Sequence, residues 1–73
     1  MARELTALKA KVGSRIRTRR KTLEISQEEL AFQVSISPTY LSQIEDGKRN
    51  VSLDVLHHIA QALHLDLADL VKR

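Results

Sequence analysis

The chain has no cysteine and no tryptophan, and only one proline, two glycines and one each of tyrosine, phenylalanine and methionine. Without cysteine, neither a disulfide nor a thiolate metal site can brace it. With so few aromatics, the core has to be built from Leu, Ile, Val and Ala. No stretch approaches the roughly 20 apolar residues of a membrane span. Basic residues run through the N-terminus with no continuous apolar stretch behind them, so it does not read as a secretion signal. Internal repeats, low-complexity runs and linkers are missing too. The expectation is a soluble, cytoplasmic chain without cofactor. Its 73 residues leave room for one domain, residues 1–73, close to the lower limit for a self-supporting core. Stability must come from helix packing, from a partner subunit, or from both.

Charge is unevenly spread beneath the net +3. Residues 1–21 carry eight bases and one acid, a balance of +7, and residues 22–73 carry four bases and eight acids, a balance of −4. Such a split favours a polyanion at one face, either nucleic acid or an anionic membrane. It is equally compatible with a solvated helix face.

Apolar spacing predicts five helices and no strand. Leu5, Leu8, Val12 and Ile16 recur at helical intervals in a first helix over about 4–22, and Gly13 within it invites close approach of another helix. Ser26 with Glu29 three residues later forms a capping-box pattern for a second helix, with Leu30, Ala31 and Val34 facing inward. Ser37 caps a third helix, Pro38 suits its first position, Leu41 and Ile44 face inward and Gly47 ends it. Ser52 caps a fourth, with Leu53, Leu56, Ile59, Ala60 and Leu63 as its stripe. Asp66 caps a short fifth.

The segment from Gln27 to Asn50 carries the functional signal. Two short helices joined by a brief break are the arrangement of a helix-turn-helix, here over about 26–46. The third helix exposes Ser37, Pro38, Thr39, Tyr40, Ser42 and Gln43, none of them charged, and the basic loop Lys48-Arg49-Asn50 follows. Short hydroxyls and an amide reach base edges and phosphates. Taken alone, the same residues also describe an ordinary capped surface helix.

Three stretches together are more specific: Ser26-Gln27-x-Glu29-Leu30-Ala31, then Ser37-x-x-Tyr40-Leu41-Ser42-x-Ile44-Glu45-x-Gly47, then Ser52-Leu53-x-x-Leu56-x-x-Ile59-Ala60-x-Ala62-Leu63. They resemble the helix-turn-helix family of phage repressors and Cro proteins (XRE-like), over about residues 12–70. In size the chain is close to the controller proteins of restriction–modification systems. The resemblance implies a compact all-α five-helix bundle of the phage-repressor DNA-binding type. It implies a homodimer that regulates transcription at inverted repeats in double-stranded DNA, with RNA polymerase a candidate further partner. Gln27 would bond a phosphate; Ser37, Pro38, Thr39, Ser42 and Gln43 would meet bases or phosphates, with Thr39 and Gln43 the leading base readers. Tyr40 would either pack near the turn or bond a phosphate. Pro38 departs from relatives with a long polar side chain there, which removes a bidentate base contact. Lys48, Arg49 and Asn50 would follow the phosphate backbone, and Arg17 is a further phosphate candidate. For at least two of Arg15, Arg17, Arg19 and Lys21, plain solvation is expected. Arg20 and Glu45 would form a buried structural ion pair.

Leu63, Leu65, Leu67, Leu70 and Val71 crowd the C-terminus, more than a five-helix monomer readily buries. The resemblance places dimer contacts in this region, about 63–73. His57 and His64 share a helical face while His58 points away, with no carboxylate or Cys to complete a metal site. No nucleophile–base pair, glycine-rich phosphate loop or carboxylate dyad is present, so an enzyme is not expected. The rival with the same fold is an antitoxin-like or scaffold subunit whose main partner is another protein.

Overall fold

The computed structural model describes the backbone of residues 2–72 and the side chains of residues 6–72. The side chain of Leu5, expected on the stripe of the first helix, and residue 73, the end of the expected dimer region 63–73, lie outside the described residues. Five helices follow in order: α1 (Ala2–Thr22), α2 (Gln27–Gln33), α3 (Pro38–Glu45), α4 (Leu53–Ala62) and α5 (Leu67–Val71). No strand forms among the described residues.

Helix starts follow the sequence cues. The hydroxyls of Ser26, Ser37 and Ser52 accept from the N–H groups of Glu29, Tyr40 and Val55 at 3.0, 3.0 and 3.1 Å. Each satisfies a donor that has no intrahelical partner. The reciprocal half of the capping box expected from Glu29 does not form. It forms at α5 instead, where Asp69 Oδ2 accepts from the Asp66 N–H at 3.0 Å.

The ends are less conventional. α1, α2 and α4 each pass into a left-handed residue that is not glycine: Glu24 (φ 59°), Ser35 (φ 59°) and His64 (φ 58°). Gly47 (φ 72°) does the same after α3. All four ends close alike, with the next residue's N–H reaching back: Ile25 to Arg20 O, Ile36 to Ala31 O, Lys48 to Gln43 O and Leu65 to Ala60 O, at 2.9–3.2 Å. This is the Schellman closure. It returns Ile25, Ile36 and Leu65 to the core's edge.

The core joins all five helices: Val12 and Ile16 from α1, Leu30 and Ala31 from α2, Leu41 and Ile44 from α3, Leu56, Ile59 and Ala60 from α4, then Leu63 and Leu70. α1 lies across both α3 and α5, α2 packs on α3, and α4 on α5. At the α1–α3 crossing a Cβ on Gly13 would sit 2.4 Å from Ile44 O and 2.5 Å from Glu45 O. Gly13 therefore allows the end of α3 to rest directly on the backbone of α1. Two expected core positions are not core. Leu8 is 37% exposed, and Leu53, the first residue of α4, is 72% exposed.

Candidate nucleic-acid interface

The α2–turn–α3 unit is held by one buried charge cluster. Arg20 donates from Nε to Glu45 Oε2 at 2.8 Å and from Nη2 to Glu45 Oε1 at 3.0 Å. Its Nη1 donates to the Ile25 carbonyl at 2.9 Å. Glu45 Oε1 also accepts from Gln27 Nε2 at 3.1 Å and Arg17 Nε at 3.2 Å. Both Arg20 and Glu45 are buried. Burial alone pushes the Glu45 carboxyl up, but the hydrogen bonds from Arg20 and Gln27, with the Arg20 charge and the Arg17 hydrogen bond, hold it below its ordinary value. One carboxylate thus ties together α1, the start of α2 and the end of α3.

This geometry redefines several residues proposed from sequence. Arg17 donates to Asp46 Oδ1 at 2.6 Å as well as to Glu45. The two carboxylates, Asp46 first, raise its already high pKa and occupy its guanidinium. Gln27 directs its amide at Glu45. Solvation was expected for at least two of Arg15, Arg17, Arg19 and Lys21, and this is corrected: Arg15, like Arg17, has partners and donates to the carbonyls of Leu70 and Lys72. Arg19 donates to the Leu63 carbonyl at 2.9 Å. These cations meet the negative ends of α4 and α5. Much of the positive charge of α1 therefore binds the acidic remainder of the chain. Among the described residues, the ion pairs are made by Arg17 and Arg20, and none by Lys9, Lys11, Lys21, Lys48 or Lys72.

The outer face of α3 is uncharged. Ser37, Pro38 and Thr39 are exposed, and Tyr40, Ser42 and Gln43 are half-buried. Eight residues at 1.5 Å rise give a helix about 12 Å long, comparable to the width of the DNA major groove. Beside it Lys48, Arg49 and Asn50 are exposed. The loop is tied to the helix by three contacts. Tyr40 Oη donates to Asn50 O at 3.2 Å, Arg49 Cζ lies 4.9 Å from the Tyr40 ring centroid, and Arg49 Nη1 donates to Gln43 Oε1 at 2.8 Å. Tyr40, for which two roles were open, braces the loop.

The C-terminal leucines divide. Leu63 and Leu70 have no exposed surface, because they complete the chain's own core. Their assignment as dimer contacts is corrected: a residue used inside the fold offers nothing to a partner. Leu65, Leu67 and Val71 are half-buried. Val71 also lines an apolar groove with Leu8, Val12, Val51, Leu53 and Leu56. The sequence reading missed that surface because both Leu8 and Leu53 fall on a helical stripe. It also passed over Phe32, 86% exposed on α2. The rings of His57 and His58 lie 5.9 Å apart, and both side chains are exposed. His64 serves as the left-handed residue after α4. No described helix is long and apolar enough to cross a membrane.

Comparison with known proteins agrees with this geometry. The control protein C.MunI of a Mycoplasma species is 41% identical over 64 residues, 86% of this chain and 86% of that protein. The control protein C.BamHI of Bacillus amyloliquefaciens is 49% identical over 47 residues, 64% of this chain and 58% of that protein. The crystal structure of the restriction-modification controller protein C.AhdI from Aeromonas hydrophila matches with a TM-score of 0.84 at 38% identity, over 88% of this chain and 97% of that one. The sequence pattern described as "Helix-turn-helix" matches residues 16–70, and the chain belongs to that family.

Proposed function

We propose that the chain is a sequence-specific double-stranded DNA-binding regulator of transcription, of the controller type, with α3 in the major groove. The observation that carries this is the uncharged, hydroxyl-bearing face of α3 set beside the exposed Lys48-Arg49-Asn50 loop. The likeness to C.MunI and C.AhdI supports it. Thr39 and Gln43 read base edges. Ser37, Ser42, Lys48 and Asn50 serve phosphates or neighbouring bases, and Pro38 touches a thymine methyl. Arg17 and Gln27 spend their main donors on Glu45 and Asp46, so they act on the strand chiefly by bracing α2 and α3, with at most the remaining Arg17 Nη1 and one Gln27 amide hydrogen for a phosphate. The protein acts by occupying DNA, not by chemistry, and RNA polymerase is the partner through which occupancy would activate.

One module makes few contacts, so two copies act together on half-sites about 34 Å apart. Leu65, Leu67 and Val71, with the adjoining exposed Leu53 and Leu8, supply the apolar surface for the second copy. Residues 63–73 thus remain the proposed dimer region, without Leu63 and Leu70.

Anisotropy titrations on duplexes selected from a random pool test the reading. Specific binding is expected at about 10⁻⁸ M or tighter at physiological salt, and at least about 10³-fold weaker on random duplex. Lys48→Ala should weaken all duplexes alike, and Gln43→Ala should reduce the ratio between them. Equal affinity for selected and random duplexes would overturn the proposal.

A further inference from the structure

We infer that Arg49, braced on Gln43 and Tyr40, reads a guanine in each half-site. This rests on the DNA-binding reading above and gives Arg49 a role the sequence did not: a base reader instead of a phosphate contact.

The polarity follows from the geometry. Arginine offers only N–H donors and no acceptor. The Gln43 atom that meets Arg49 Nη1 at 2.8 Å is therefore its carbonyl oxygen, and the amide NH₂ is left to face outward. A free glutamine presents a donor and an acceptor side by side, the complement of adenine N6 and N7. With one lone pair of that oxygen taken by Arg49, the Gln43 edge is weighted toward donation. The Arg49 guanidinium carbon lies 4.9 Å from the Tyr40 ring centroid, and Nη1 is the nitrogen that bonds Gln43. The Tyr40 hydroxyl in turn fastens the loop at Asn50. The Arg49–Gln43 head thus joins a helix residue to a loop residue, and its outward groups are mainly N–H donors. In the major groove, guanine alone presents two acceptors on one base, N7 and O6. Adenine puts a donor beside its N7, and cytosine offers its N4 donor. A phosphate also accepts only. Bracing on Gln43 and Tyr40 holds Arg49 beside the outer face of α3, and loss of the guanine N7 separates that base contact from a phosphate contact.

The test uses the wild-type protein and its selected half-site. Each guanine is replaced singly by 7-deazaguanine, which lacks the N7 acceptor, and by adenine. One guanine per half-site is expected to lose about tenfold in affinity on either change. Arg49→Ala should abolish most of that dependence at that base and leave other positions unaltered. Tyr40→Phe, which keeps the ring under the guanidinium, should retain it. A selected motif indifferent to 7-deazaguanine at every position overturns the inference while DNA recognition stands. So does an Arg49→Ala variant that weakens all duplexes by one factor, since that is the signature of a phosphate contact. A pool that yields no motif overturns the DNA reading itself.

Discussion

Replacing Arg20 with alanine removes three hydrogen bonds at once, two to Glu45 and one to the Ile25 carbonyl. Breaking a buried ion pair costs about 3–5 kcal/mol, because the remaining charge loses its compensation. Here the lower end applies. Glu45 Oε1 keeps Arg17 at 3.2 Å and Gln27 at 3.1 Å, whereas Oε2 loses its donor. A loss of about 3 kcal/mol is severe for 73 residues, whose total stability falls in the range of about 4–11 kcal/mol. At about 4–8 °C per kcal/mol, the melting temperature should fall by about 12–24 °C at pH 7. Thermal melting followed by circular dichroism measures it directly. The acid limb gives a second readout. The folded-state pKa of Glu45 is depressed below its ordinary 4.5. Its contribution is therefore complete above that value and lost as the pH falls through the lower folded value. In Arg20→Ala the main donor is gone, so this part of the acid dependence should shrink. Arg17→Ala, whose side chain is 39% exposed, should cost less than about 1 kcal/mol. An Arg20→Ala protein melting within about 2 °C of its parent would refute the cluster's structural role.

Gly13→Ala gains about 1 kcal/mol of helix propensity, but its Cβ meets two backbone carbonyls at 2.4 and 2.5 Å that cannot rotate aside. Overpacking of about 1–3 kcal/mol or more should win. A urea midpoint at or above the parent's would contradict this. His64→Gly and Glu24→Gly relieve a left-handed residue at φ 58° and 59° and should each stabilise by about 1 kcal/mol, read as a raised midpoint. Leu67→Asp or Val71→Asp should give monomers by sedimentation and much weaker binding to two-half-site duplexes. A parent protein that is itself monomeric at micromolar concentration would sink the dimer claim.

The starts of α2 to α5 were legible because each is written locally: a serine or, at α5, Asp66, then a helical stripe. The ends were harder. Gly47 announces one, but Glu24, Ser35 and His64 take the same left-handed turn with side chains that disfavour it, held by closures such as Ile25 N–H to Arg20 O. Tertiary packing overrides local preference there. The basic first helix misled in another way. Arg15 and Arg19 reach carbonyls 55 and 44 residues away, and no local pattern signals such partners. Crowding of leucines near the C-terminus read as surplus surface, yet Leu63 and Leu70 complete the core. The α3 face was legible because it is defined by what it lacks, charge, and that property needs no coordinates. The Tyr40–Arg49–Gln43 arrangement was not, since it depends on how the loop folds back.

The most direct experiment follows isotope-labelled protein by NMR as selected duplex is added. Contacts between Thr39 or Gln43 side chains and major-groove base protons are expected, with shifts concentrated at 37–43, 48–50 and the Gln27 amide. Shifts confined to the Leu8–Leu53 groove, with residues 37–43 silent, would mean that α3 is not the surface that reads DNA.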